Sequence, residues 1–513
     1  MLGNRLWRTK SVEQSIADTD APATRLRKDL TALDLTVFGV AVVVGAGIFT
    51  LAASTAGNLA GPSVSLAFVL SAIACGLAAL CYAEFASTVP VAGSAYTFSY
   101  ATFGEFIAWV IGWDLVLEFA VGAAVVGKGW SSYLQNLLGL GGPGMRTTVH
   151  LGAVSLDWGA VLLVAVLTGL LAAGTKLSSR VSQVITAIKI LVILLVILLG
   201  LRYVSAANYH PYIPPAASAG SGAGSGLEQS LFSLIVGGAT STYGIFGLLA
   251  AASIVFFAFI GFDVVATTAE ETRRPKRDVP RGILGSLAIV TVLYVAVALV
   301  LTGMVPYTNL KTKPDGTKAT LATAFADHGV TWAAVVVAIG ALAGLTTVVL
   351  VLLLGQIRVL FAMSRDGLLP RPLAITGHRG TPVRATLLVG LLVAVAAGFF
   401  PAEKLEEMVN VGTLFAFVLV SIGVLILRRT RPDLPRGFRT PLVPLVPILS
   451  VASCLWLMLN LTALTWVRFA AWMALGLVIY FLYGVRHSVL GRRLRGLPAE
   501  LGGPAPTQRA FPT

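Results

Sequence analysis

The sequence predicts an all-α membrane protein with 12 transmembrane helices, and three observations carry that expectation. Of its 513 residues, 56% are hydrophobic and only 12% charged, where soluble domains average about 25% charged. The apolar residues fall in repeated runs of roughly 20, the length of a bilayer-crossing helix, rather than in short amphipathic stripes. The basic residues, finally, are distributed unequally between alternate connections.

The runs place spans at 34–59, 62–83, 104–136, 157–174, 181–201, 243–270, 282–304, 331–361, 383–400, 405–427, 443–466 and 469–485. With the N-terminus inside, 28 of the 37 Lys and Arg residues fall on cytoplasmic segments, counting Arg358 and Arg384 at the inner ends of their spans. Seven fall on outer loops: Arg146, Arg202, Lys311, Lys313, Lys318, Lys404 and Arg468. Lys128 and Lys189 lie within spans. The positive-inside rule therefore expects both termini in the cytoplasm, and the net charge of +14 reads as a topology signal rather than a nucleic-acid footprint.

The organisation expected is a cytosolic tail (1–33), a first five-span half (34–201), a flexible extracellular loop (202–242), a second half (243–427), two further spans (428–485) and a cytosolic tail (486–513). The first tail is too long and polar before its first apolar run to read as a signal peptide. The loop carries the Gly/Ser-rich stretch AASAGSGAGSG, the composition of a linker. Two basic blocks, ETRRPKRDVPR (271–281) and RRTRPDLPRGFR (428–439), are expected to be solvated anchors at the inner leaflet.

Enzyme chemistry finds little support. Cys75, Cys81 and Cys454 sit in apolar runs without metal-ligand spacing, and the five histidines are scattered outside the spans. No P-loop pattern occurs. No cofactor or metal is expected. An N-x-T at Asn460 falls within a span and is set aside.

The first and sixth spans are unusual in the same way. Each is interrupted mid-span, at Val43-Val44-Gly45-Ala46-Gly47-Ile48-Phe49 and at Phe257-Ala258-Phe259-Ile260-Gly261-Phe262-Asp263. Small residues let the helix unwind, and unwound backbone is tolerated at membrane depth only where it faces protein or a polar cavity. A broken helix exposes amides at a positive dipole end and carbonyls at a negative one. The amides near Gly45, Ala46 and Gly47 suit a carboxylate, and the carbonyls of Val43, Phe257, Ala258 and Ile260 suit an ammonium. Paired breaks in two halves point to a midplane substrate site; the competing reading is close helix packing at small residues.

Five stretches carry a family resemblance: LTVFGVAVVVGAGIFT (35–50), ALCYAEFASTVPVAGSAYTFSYATFGEFIAWVIGWDLVLEFAVG (79–122), VFFAFIGFDVVATTAEETRRPKRDVP (255–280), GQIRVLFAMSRDGLLP (355–370) and GTLFAFVLVSIGVLILRRTRPDLPR (412–436). The chain resembles the cationic amino acid transporter branch of the amino acid-polyamine-organocation superfamily over nearly its whole length. The resemblance implies a leucine-transporter-like 5+5 inverted repeat with two extra C-terminal helices. It also implies alternating access for L-amino acids in the plasma membrane, driven by protons rather than sodium. The expected partners are an amino acid, protons and the lipid bilayer, with a monomer that can carry a small single-span accessory subunit.

Charges inside the spans sharpen this. Lys189 lies about 12 Å into span 5 at 1.5 Å per residue, sharing a face with Ser182 and Thr186. Either its stem carries the ammonium back to the cytosolic surface or it faces inwards. The resemblance places it where sodium-driven relatives bind a cation, linking spans 1, 5 and 8, and makes it the expected proton-responsive group. Asp114 and Glu118 share a face of span 3. Glu118 matches the family's acid near the side-chain end of the pocket, where it pairs with a cationic substrate or takes part in proton coupling; a structural carboxylate is the other reading. Leu352 in span 8 would favour small neutral amino acids. Asp263 reads as a helix cap. An amino acid sensor or an uncoupled facilitator remains the alternative on the same fold.

Overall fold

The computed structural model describes residues 8, 29–45, 47–88, 94–139, 146–151, 154–174, 179–218, 226–236, 241–312, 319–377 and 381–494. The chain is mostly helical. Helix α1 (Ala32–Val43) starts at a capping box in which Thr31 Oγ1 accepts from the Asp34 amide and the Asp34 carboxylate accepts from the Thr31 amide, satisfying donors that a helix start leaves open. The path resumes at Gly47–Leu51 and runs through Ala52–Thr55 and Ala56–Ala60. There follow α2 (Val64–Thr88), α3 (Ser94–Thr102), α4 (Glu105–Leu137), α5 (Trp158–Ala172), α6 (Ser179–Gly200), α7 (Gly244–Val255), α8 (Pro275–Met304), α9 (Leu321–Asp327), α10 (Thr331–Arg365), α11 (Val383–Phe399), α12 (Ala402–Thr430), α13 (Leu445–Leu459) and α14 (Ala463–Ile479). Among the described residues, eight stretches are long and apolar enough to cross a membrane, and α5, α11 and α13 are shorter apolar helices.

Helix α4 is the axis of the molecule. In its most apolar stretch 89% of residues are buried, against 22% in the stretch containing α14, so α4 is walled in by protein while α14 lies at the periphery. It packs on α10, α12, α5 and α11, and α8 packs along α1 and α2. Large side chains left open on the outer helices, such as Leu191, Val292 and Leu391, face the solvent that a bilayer would supply.

Four details depart from the sequence reading. The chain is not wholly helical: Thr148–Leu151 pairs antiparallel with Val154–Asp157, and Ala217–Ser218 with Ser241–Thr242. The eleventh and twelfth spans divide earlier than expected. Asn460 ends α13, with its amide Nδ2 donating to the Trp456 carbonyl at 2.8 Å, and Thr462 caps α14; polar side chains that bond nearby backbone make a stop here. Asn460 therefore lies in a turn rather than a span, and Arg468 lies within α14 rather than in an outer loop.

The fourth departure concerns the 428–439 block. Arg428 and Arg436 turn inwards rather than forming a solvated anchor. Arg428 grips the buried Glu84 of α2 through Nε at 3.0 Å and Nη2 at 2.8 Å, Arg436 Nε lies 3.3 Å from the same carboxylate, and the Thr440 amide donates to it at 2.7 Å. An unpaired carboxylate at that depth would be costly, so α2 and the end of α12 are tied together. Arg431, by contrast, meets Asp433 at the exposed surface.

Candidate functional site

The two expected breaks are present and they touch. Helix α1 ends at Val43, and Val44 is extended at φ −69°, ψ 93°. Helix α7 tightens through Phe256–Phe259, Ile260 is extended, Gly261 is left-handed at φ +112°, and the helix resumes at Phe262–Glu271. Only glycine adopts that conformation without strain. A Cβ on Gly47 would overlap the Ala258 backbone, and one on Gly261 would lie 2.8 Å from Val42 Cγ1. The glycines thus serve the close approach of one break to the other as well as the unwinding.

Carbonyls released by the first break are taken up by side chains from distant helices. Lys189 of α6 is 1% exposed, and its ammonium donates to the carbonyls of Ala41 at 2.7 Å and Val44 at 3.3 Å. Its stem lies against Gly344 of α10, where a Cβ would fall 3.0 Å from Lys189 Cγ. The ammonium faces inwards, and the alternative in which it reaches back to the surface is excluded. Thr186 is buried on the same helix; the Ser182 side chain lies outside the described residues. Tyr294 of α8 donates its hydroxyl to the Val43 carbonyl at 2.7 Å, which occupies one lone pair of a carbonyl expected to receive the ligand. Beyond the break, Tyr133 of α4 donates to the Phe49 carbonyl at 2.7 Å.

The second break is satisfied more locally. The Ile260 amide returns to the Phe257 carbonyl and the Val264 amide to the Gly261 carbonyl. Asn410 of α12 donates to the carbonyls of Ser253 at 2.8 Å and Ile254 at 3.3 Å. Asp263 lies beside the amides of Gly261, Asp263 and Val264, the position of a cap on the resumed helix.

Seven of the expected residues, Val43, Gly45, Gly47, Glu118, Phe257, Ile260 and Leu352, line one cavity of about 30 Å3 with Val42, Gly122, Val126 and Val348. Ala258 stands behind it, packed on Gly47, and Ala46 lies outside the described residues. Apart from Glu118 the side chains lining it are apolar. Glu118 is 2% exposed, and among the described residues one of its oxygens, one of Asp263 and both of Asp114 have no hydrogen-bond partner. Orphaned carboxylate oxygens at this depth are expensive unless a proton or a cationic group meets them.

Tyr294, Asn410 and Tyr133 were missed in the sequence. A lone asparagine in an otherwise apolar stretch, MVNVG, was the available signal for Asn410. A tyrosine in an apolar run carries none, because its ring packs as any aromatic does and only the tertiary fold reveals what its hydroxyl meets.

Residues 30–483 match the family model described as amino acid permease. The chain is 42% identical over 497 residues to the branched-chain amino acid permease BcaP of Bacillus subtilis (strain 168), covering 95% of this chain and 99% of that protein. It is 40% identical over 498 residues to the methylthioribose transporter of the same organism, again across 95% and 99% of the two chains. With the vacuolar cationic amino acid transporter 2 of Arabidopsis thaliana it shares 38% identity over 434 residues, 83% of this chain and 64% of the plant protein.

Proposed function

Because the chain belongs to the amino acid permease family, we propose that it carries L-amino acids together with protons across the plasma membrane by alternating access. In this reading it spans the bilayer twelve times, as a 5+5 inverted repeat with two extra C-terminal helices, and keeps both termini in the cytoplasm. It works as a monomer, with room for a small single-span accessory subunit. The observation that carries the reading is the Lys189 ammonium on the Ala41 and Val44 carbonyls. A titratable group there links the geometry of the broken helix to its own protonation. Charged, it holds the carbonyls; neutral, it has fewer donors to hold them with.

The substrate's backbone groups fit the break, its carboxylate at the amides around Gly45 to Gly47 and its ammonium at the carbonyls around Phe257 to Ile260. Its side chain enters the apolar wall of Val42, Val126, Val348 and Leu352. That wall favours neutral aliphatic side chains, in keeping with the substrates in the Bacillus branched-chain permease's name. Glu118 then serves as a second proton-binding group. Were the substrate cationic, as the plant relative's name would suggest, Glu118 would be its partner instead.

The test is uptake into sodium-free proteoliposomes of labelled leucine, alanine, arginine and methylthioribose, with and without an inward proton gradient. Gradient-stimulated leucine uptake is expected, lost in Lys189→Ala and weakened in Glu118→Gln. Arginine preferred over leucine would reassign Glu118, and flux indifferent to the gradient would remove the role of Lys189. Binding without flux would make the chain a sensor.

A further inference from the structure

At the end of the molecule opposite the basic blocks, the outer end in the proposed topology, Tyr243 precedes α7 in a backbone conformation that is nearly glycine's own. Its φ is +65° and its ψ −169°, which costs a residue with a side chain on the order of 1–3 kcal/mol and persists only where the surroundings impose it. Here they do. The Tyr243 amide donates to the Leu59 carbonyl at 3.0 Å and its hydroxyl to the Gly57 carbonyl at 2.5 Å. Both acceptors belong to the last turn of the first span, Ala56–Ala60. One residue at the start of the second broken span thus grips the end of the first by backbone and side chain together.

The Gly57 carbonyl is open for a reason written in the sequence. The Gly61 amide returns to the Ala56 carbonyl, and the next residue, Pro62, has no amide to give Gly57. The approach is close: a Cβ on Gly247, one turn into α7, would overlap the Leu59 carbonyl, and one on Gly57 would overlap the Leu310 carbonyl. The loop after α8 covers the junction. Asn58 Nδ2 donates to Thr312 Oγ1 at 2.9 Å, the Tyr307 ring meets the Tyr243 ring edge-on at 5.3 Å, and the Lys311 ammonium lies 5.6 Å from the centre of that ring. Tyr243 itself is buried.

Gly47 and Ala258 already touch beside the inner cavity, about 15 Å from Gly57 at 1.5 Å per residue. A single contact is a pivot, whereas two contacts fix an angle. We propose that Tyr243 is a positioning residue that joins the outer halves of the two broken spans into one body, so that they cannot swing apart about Gly47 and Ala258 and uncover the inner cavity. Its strained backbone is what brings amide and hydroxyl onto one helix end. The proposal deepens the transport reading, on which its meaning for uptake rests, while the covering of the cavity is testable without any solute.

Val126→Cys places a thiol in the wall of that cavity, and its rate of modification by a charged methanethiosulfonate, with the full chain in lipid nanodiscs, reads how often the cavity is uncovered. The native Cys75, Cys81 and Cys454 are buried, so their modification in the chain without Val126→Cys reads general loosening instead. Adding Tyr243→Phe keeps the ring against Tyr307 and Lys311 and removes the hydroxyl; it should speed modification at position 126 about tenfold, the effect of one hydrogen bond, and leave the native thiols as slow as before. Tyr243→Gly, which also frees the backbone of strain, should be at least as fast. Wild-type rates in both variants overturn the clamp, whether or not the chain carries leucine. Acceleration in Tyr243→Gly alone overturns the role of the hydroxyl, and equal acceleration at the native thiols makes Tyr243 a residue of general stability. Selective acceleration in a chain that carries no leucine upholds the clamp and removes the transport reading.

Discussion

The two broken helices look alike in sequence, and their breaks are held open by different means. At the first break the carbonyls of Ala41, Val43 and Val44 are met by Lys189 and Tyr294, which come from two other helices. At the second, Gly261 turns the chain at φ +112° and the neighbouring amides and carbonyls close on each other. The first break is conditional on partners elsewhere, while the second is closed mostly within its own stretch, by its backbone and Asp263, with Asn410 of α12 added on the carbonyls of Ser253 and Ile254. A device that must change shape with a proton is better placed at the first, where the hydrogen bonds come from an ionisable side chain.

Three substitutions would break or sharpen that contrast, in descending order of expected effect. Gly47→Leu drives a side chain into the Ala258 backbone and into the inner cavity. Leucine uptake in proteoliposomes should fall by about 100-fold or more, since the two breaks can no longer meet; uptake within a few-fold of wild type would mean that their contact is incidental. Gly261→Val places a β-branched residue at positive φ and against Val42, at a cost of about 2–4 kcal/mol. It should lower the melting temperature in detergent at every pH alike, as a purely local backbone effect must. A pH-dependent loss would show the second break to be conditional as well. Tyr294→Phe removes one hydrogen bond from Val43 and leaves the ring in place, about 1 kcal/mol. Its melting temperature should drop by only a few degrees, and its uptake should become more dependent on the proton gradient as Lys189 is left to hold the first break without it. An unchanged pH profile would assign that break to Lys189 without help from Tyr294.

Much of this was legible in the sequence for a definite reason. Backbone in lipid must satisfy its hydrogen bonds within the segment, so apolar length translates directly into helix, and α4, α6, α10 and α11 begin and end within a few residues of the apolar runs. The breaks were legible because interruptions at small residues recur at matching places in the two halves, which close helix packing by itself does not require. The turn at Asn460 was not: two polar residues in a long apolar stretch looked like passengers, and the cap formed by Thr462 is a local bond that hydropathy averages away. Arg428 and Arg436 were misread because a basic block reads the same whether or not a buried Glu84 waits beneath it.

The sequence by itself therefore determined where helices form, where two of them unwind and which charges lie too deep to be idle, since each of these is a property of a continuous stretch of chain. The tertiary structure alone decided which groups meet. Lys189 and Ala41 are 148 positions apart, and no periodicity in either helix records their contact. It decided too that the inner cavity has a volume of only about 30 Å3 while another, of about 180 Å3, lies along α4. Cavity volume depends on how several helices pack at once, and each of them would present the same sequence in any arrangement.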